Sequence, residues 1–318
     1  MRPHNFIAAL LCICTWLLCG CTTPQPISFK KLSYPMPVSH VLVDGIEIAF
    51  SDVGVSDGES ATLVLIHGLG SYMPVWERNL DALSARHRVV AIDLPGYGKS
   101  SKANYDYSMA FYARVVEGVI ETLHLAHVVL VGHSMGGQIA LTHALRYPGK
   151  AERLVLVDPA GFERFGRGEG RWLAEAVDKE FVAKTPPEAV YANVAANFYS
   201  MPKEARFMVD DRLRVVGGPD FDAYTYAVAR SVYAMVHEPV IDRLSEIKVP
   251  TLVVFGEDDG LIPNPVLHGG TTRAVAEGGT RLLPRGRLVM IPRAGHMVQF
   301  ERPVEFDAAL LHFLEEAP

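Results

Sequence analysis

The chain has 318 residues, 49% of them hydrophobic and 21% charged, enough apolar content for a full core and too much for a disordered polymer. Its formal net charge is -6, with both signs interspersed, so the basic footprint of a nucleic-acid-binding protein is absent. The length suits one domain carrying an insertion, or two small domains.

Arg2 near the start precedes an apolar stretch over residues 6–18. Its length of about a dozen residues matches the h-region of a secretory signal and is too short for a good membrane-spanning helix. The stretch closes with Leu18-Cys19-Gly20-Cys21, which resembles the lipobox of bacterial lipoproteins. That resemblance implies a signal peptide over residues 1–20 and a diacylglyceryl group on Cys21, holding an exported protein to a bacterial envelope membrane. All four cysteines, Cys12, Cys14, Cys19 and Cys21, lie in this segment, so the mature chain would hold one thiol and no disulfide. An ordinary cleaved signal peptide or an uncleaved anchor is the alternative.

Residues 21–37 are rich in Pro, Ser and Thr, and read as an extended tether. From residue 38 onward, short β-branched runs alternate with longer amphipathic stretches, the pattern of a mainly parallel sheet covered by helices on both faces. The spacing predicts strands at 40–43, 47–50, 62–66, 89–92, 128–131, 154–157, 251–255 and 287–291. The strand pattern stops for about eighty residues over 161–240, too many for a bare loop. That segment reads as a helical cap inserted after strand six, broken at Pro186-Pro187 and Gly217-Gly218-Pro219. Its aromatics, among them Tyr191, Phe198, Tyr199, Phe221, Tyr224 and Tyr233, are expected mostly as the cap's own core. The surrounding core then comprises 38–160 and 241–318.

Gly132-His133-Ser134-Met135-Gly136 has the form G-x-S-x-G and lies between a predicted strand and a helical stretch, the context that motif requires. A tight strand-to-helix turn strains the serine backbone, and Gly132, Gly136 and Gly137 remove the clashes it would cause. Ser134 would then sit at the positive end of a helix, with the Met135 N–H as one oxyanion donor. The second donor is expected at Leu69, in the glycine-rich loop His67-Gly68-Leu69-Gly70 after the third strand. A serine hydroxyl needs a base within reach. Of twelve histidines, His296 follows the last strand and shares the C-terminal edge of the sheet with Ser134, where ligands bind in open α/β sheets. The base in turn needs an acid: Gly256-Glu257-Asp258-Asp259 offers three carboxylates after strand seven, and Asp158 stands after strand six.

Together with Asp93-Leu94-Pro95-Gly96-Tyr97-Gly98-Lys99-Ser100, these motifs resemble the α/β-hydrolase superfamily from about residue 38 to the C-terminus. The resemblance implies an eight-stranded, mostly parallel sheet and the chain order serine, acid, histidine. It also selects Asp259, three residues after the glycine, over Asp158 as the acid. A serine at position 134 separates the chain from epoxide hydrolases and haloalkane dehalogenases, which carry aspartate there. Carbon-carbon hydrolases of ring-cleavage pathways usually have tryptophan after the catalytic histidine, where this chain has Met297. The expected activity is therefore that of an esterase or lipase, acting on a small-molecule or lipid ester through an acyl-enzyme with no cofactor and no metal. A carbon-carbon hydrolase, a cofactor-free haloperoxidase and a thioesterase are alternatives of the same fold, and a non-catalytic binding protein is the alternative of another class.

Overall fold

A computed structural model describes residues 25–55 and 58–316. The signal peptide expected over 1–20 and the anchor expected at Cys21 lie outside the described residues. Eight strands form one sheet: β1 (Ser39–Val43), β2 (Ile46–Gly54), β3 (Thr62–Ile66), β4 (Arg88–Ile92), β5 (Val128–His133), β6 (Arg153–Val157), β7 (Thr251–Gly256) and β8 (Gly286–Ile291). Their spatial order is β1-β2-β4-β3-β5-β6-β7-β8. β1 and β2 form a hairpin closed by Asp44 and Gly45, both at positive φ, the left-handed pair that two-residue hairpin turns need. β2 pairs antiparallel with β4, and every later pairing is parallel. This is the mostly parallel eight-stranded sheet of the α/β-hydrolase fold, and each strand lies within a few residues of its predicted position.

The parallel strands inside the sheet, β4, β3, β5, β6 and β7, are buried on both faces because helices cover both, whereas the edge strand β8 is only partly buried. Val64, Ile66, Leu130, Leu154 and Leu156 face α2 (Met109–Thr122) and α3 (Met135–Arg146). Leu63, Leu65, Val129, Val155 and Val157, the alternate positions, join Leu83 of α1 (Leu80–Ser84) in the opposite cluster. The cap comprises α4 (Arg167–Ala176), α5 (Lys179–Ala183), α6 (Pro187–Ala195), α7 (Arg206–Val215) and α8 (Phe221–His237), all between β6 and β7. After β7 come α9 (Thr272–Leu282), on the α2 and α3 face, then α10 (Val298–Glu301) and α11 (Pro303–Glu315). Phe306, Leu310 and Phe313 of α11 complete the opposite cluster. No helix among the described residues is long and apolar enough to cross a membrane.

Buried polar contacts fasten α8 to the core: Tyr97 Oη donates to Ser231 Oγ at 2.9 Å, and the Gln138 side-chain amide donates to the Met235 and Glu238 carbonyls at 3.0 and 3.1 Å. Of the cap aromatics, Phe198, Phe221 and Tyr224 are buried as expected, whereas Tyr191, Tyr199 and Tyr233 are exposed. A set of five short helices has too little interior to enclose every ring.

The extended tether expected over residues 21–37 does not run to residue 37. Phe29, Leu32 and Met36 are buried, and Ile27 N–H donates to the Arg214 carbonyl at the end of α7 at 2.9 Å. The proline-rich composition masks three apolar residues spaced by three and four, enough to dock one side of a short segment.

Candidate active site

β5 ends at His133 and α3 begins at Met135, which leaves Ser134 to make the whole turn. Its backbone stands at φ 52, ψ -118, a strained conformation for a residue with a side chain. Ser134 N–H donates to the Val157 carbonyl at 2.9 Å, and the Ser134 carbonyl accepts from Gly137 and Ala160 at 2.8 and 3.0 Å. The turn is held by its neighbours. A Cβ on Gly136 would lie 2.3 Å from the Ile66 carbonyl oxygen, so glycine is the residue that fits there.

The loop after β3 runs over this turn. A Cβ on Gly68 would lie 3.0 Å from the Ser134 Cβ, and Leu69 lines the same cavities as Ser134. His67 fixes the loop: its Nδ1 faces the Gly68 carbonyl at 2.8 Å, and the Leu94 N–H donates to its Nε2 at 3.0 Å. Nδ1 therefore carries the proton, and full burial pushes the ring's pKa down, in keeping with a neutral imidazole. Met135, the first residue of α3, is fully buried at the helix N-terminus.

His296 stands in the loop between β8 and α10, buried, with Nδ1 2.8 Å from Asp259 Oδ2. Asp259 Oδ1 accepts from the Leu261 and Ile262 N–H groups at 2.7 and 3.2 Å. Glu257 and Asp258, the other two carboxylates of that run, are exposed. Ser134 and His296 line the same two cavities, and with Nδ1 engaged by Asp259 the ring has Nε2 left for chemistry.

Asp158 lies fully buried beside this pair, at φ 41, with Oδ1 accepting from the Gly256 N–H at 2.9 Å. Burial first, and the neighbouring Asp259 charge second, push its carboxyl well above the usual range. Asp158, Asp259 and His296 bring ligating atoms within 4.8 Å of one another, the one such group among the described residues. Hydrogen bonds already occupy both Asp259 oxygens and one oxygen of Asp158, so the arrangement is that of a hydrogen-bonded acid and base pair with a third carboxyl behind it.

Two fixing residues were not foreseen. His133, next to Ser134 in the chain, holds the His296 carbonyl with its Nε2 at 2.8 Å. A carbonyl only accepts, so Nε2 is the protonated nitrogen, and burial together with the nearby His296 pushes this ring's pKa well down. Glu301 accepts from the N–H groups of Gly295, Tyr199 and Ser200 at 2.9, 3.0 and 2.7 Å, tying the His296 loop to the cap. Neither contact leaves a sequence signal: His133 lies 163 residues from His296, and both contacts arise only on folding.

Residues 61–303 match the family described as alpha/beta hydrolase fold. A 2-hydroxy-6-oxononadienedioate/2-hydroxy-6-oxononatrienedioate hydrolase of Burkholderia vietnamiensis is 30% identical over 290 residues, covering 86% of this chain and 94% of its own. A solved structure of a probable hydrolytic enzyme from Pseudomonas aeruginosa is similar at TM-score 0.82 and 28% identity, over 92% of this chain and 99% of that one. A membrane phospholipase A described as a bacterial virulence factor is similar at TM-score 0.71 and 28% identity, over 88% and 86% of the two chains. The chain belongs to the alpha/beta hydrolase fold family.

Proposed function

We propose that the protein is a serine carboxylic ester hydrolase, with Ser134 as nucleophile, His296 as general base and acid, and Asp259 as the group that orients His296. The observation that carries this reading is the 2.8 Å contact between His296 Nδ1 and Asp259 Oδ2, made beside a serine held at φ 52. With Asp259 accepting from Nδ1–H, the imidazole presents an unprotonated Nε2. Ser134 Oγ bonds to the ester carbonyl carbon as its proton passes to Nε2, and the carbonyl electron pair moves onto oxygen. The Leu69 and Met135 N–H groups hold that oxyanion. Collapse expels the alkoxide, which takes the proton from His296. Water then attacks the acyl-enzyme by the same sequence and frees the acid and Ser134. Ser134→Ala is expected to abolish hydrolysis of short p-nitrophenyl esters and labelling by a fluorophosphonate probe while melting like the parent. Turnover near the parent's refutes the assignment.

Export and anchoring through Cys21 belong to this reading, supported by the lipobox-like run before it. The docked segment shortens the free linker: from Cys21 to Ile27 the chain spans at most about 20 Å, so the site would work close to the membrane on its lipids. Mass spectrometry of the purified N-terminus should find Cys21 diacylated, and an unmodified Met1 refutes it.

A second reading, hydrolysis of a carbon-carbon bond, is favoured by the relative in Burkholderia vietnamiensis, whose named substrates are diacids, and by Arg212 in a cavity shared with Ser134. Met297 counts against it. Cleavage of a vinylogous 1,5-diketone acid faster than of any ester would establish it in place of the first.

A further inference from the structure

Two cavities of different character meet at Ser134 and His296. One, of about 280 Å³, is walled mainly by apolar side chains such as Leu173, Val177 and Val236 of the cap, with Gln138, Glu163 and Asn264 as its polar groups. The other, of about 240 Å³, sets the polar groups of Asn197, Asp211 and Arg212 among apolar side chains that include Phe29, Leu32 and Met208. A chain of methylenes suits the first, and the oxygen-bearing leaving group of an ester suits the second.

Phe29 and Leu32 come from the short segment that precedes β1, and that segment is built into the molecule. Ser28 Oγ donates to Asp220 Oδ2 at 2.8 Å, and the Phe29 N–H faces both oxygens of the same carboxylate at 3.2 Å. Asp220 directly precedes α8, so the segment is pinned to the α7–α8 corner. There a Cβ on Gly218 would lie 2.3 Å from the Ile27 carbonyl oxygen, which explains the glycine at that corner. The Phe29 ring stacks on Tyr224 at 4.9 Å, and the Lys102 ammonium stands over it at 4.6 Å. Further along, Tyr34 Oη donates to Asp93 Oδ2 at 2.7 Å, fastening the other end to the core.

We propose that residues 27–32 form a wall of the leaving-group chamber, and that Phe29 and Leu32 are specificity-determining residues that read the alcohol part of the ester. The inference rests on the ester-hydrolase reading. Phe29 and Leu32 line the chamber from a segment outside both the cap and the sheet, so that segment shares in setting the size of alcohol admitted.

The test uses the full chain and the variants Phe29→Leu and Leu32→Ala, with fluorophosphonate labelling of Ser134 as a readout independent of ester size. The kcat/KM ratio of benzyl butyrate to methyl butyrate is expected to rise about tenfold, the scale on which a methylene is discriminated in an apolar pocket. The ratio of benzyl hexanoate to benzyl acetate is expected to stay within twofold of the parent's. Variants that label fully with both ratios unchanged overturn the wall, as does a shift confined to the acyl series. A parent chain that neither labels nor turns over any of these esters overturns the ester reading itself, and the wall with it.

Discussion

Asp259→Asn is the sharpest probe of the site, because the surroundings of this carboxylate dictate which way an amide must face. Asp259 Oδ1 accepts from two N–H groups, Leu261 at 2.7 Å and Ile262 at 3.2 Å, and Oδ2 faces His296 Nδ1 at 2.8 Å. Asparagine brings one oxygen and one NH2. If the oxygen stays with the two N–H groups, the NH2 points at Nδ1, which must then accept, and the ring proton moves to Nε2. That tautomer cannot take a proton from Ser134. Turning the amide over restores the tautomer but leaves two backbone donors unpaired, at about 1–3 kcal/mol each. The penalty of about 2–6 kcal/mol corresponds to a kcat lower by about 30- to 25,000-fold at 1.36 kcal/mol per decade. Steady-state hydrolysis of p-nitrophenyl butyrate measures it, with a thermal melt to show that the variant is folded. A kcat within tenfold of the parent's would refute the role given to Asp259 and direct attention to Asp158.

Gly136→Ala is expected to destabilise the fold by about 1–3 kcal/mol or more, since its Cβ would meet the Ile66 carbonyl oxygen at 2.3 Å; an unchanged denaturant midpoint refutes this. His133→Phe removes the donor to the His296 carbonyl and should lower kcat by about ten- to a hundredfold, the cost of an unpaired buried acceptor, with KM little changed. Burial pushes the Asp307 carboxyl up to about 7, so the folded state keeps a proton that the unfolded state loses near pH 4. Its stabilising contribution is then full below pH 4 and lost as pH rises to 7, by at most about 4 kcal/mol. Asp307→Asn should flatten that part of the stability profile, and identical profiles in urea titrations at pH 5 and 8 would exclude it.

Strand positions were legible because a doubly covered parallel sheet needs apolar residues at successive positions, and runs such as Thr62-Leu63-Val64-Leu65-Ile66 leave little choice of structure. Ser134 was legible for a similar reason: its strained turn demands glycines at fixed offsets, and those glycines are visible in the chain. The docked segment was hidden because its burial depends on partners almost two hundred positions away, Asp220 and Tyr224. Composition around Pro24 and Pro26 speaks for an extended chain, and three spaced apolar residues carry too little pattern to outweigh it. The contacts of His133 and Glu301 were hidden in the same way, since both bind backbone groups that any residue supplies.

The choice between Asp158 and Asp259 shows where residue type stops being informative. Both carboxylates follow strands that pair side by side, β6 and β7, so both reach the same edge of the sheet and both approach His296. What separates them is the supply of donors. Asp259 receives two backbone N–H groups and the imidazole, three partners in all. At Asp158 burial first, and the neighbouring Asp259 charge second, outweigh the backbone hydrogen bonds it accepts, Gly256 N–H among them, and push its carboxyl up. Two like carboxyls at one base are thereby split into a partner bonded to the base and a neighbour enclosed behind it. The split is made by the path of the loop from Gly256 to Ile262, whose turn directs two N–H groups at one oxygen, rather than by the identity of either aspartate.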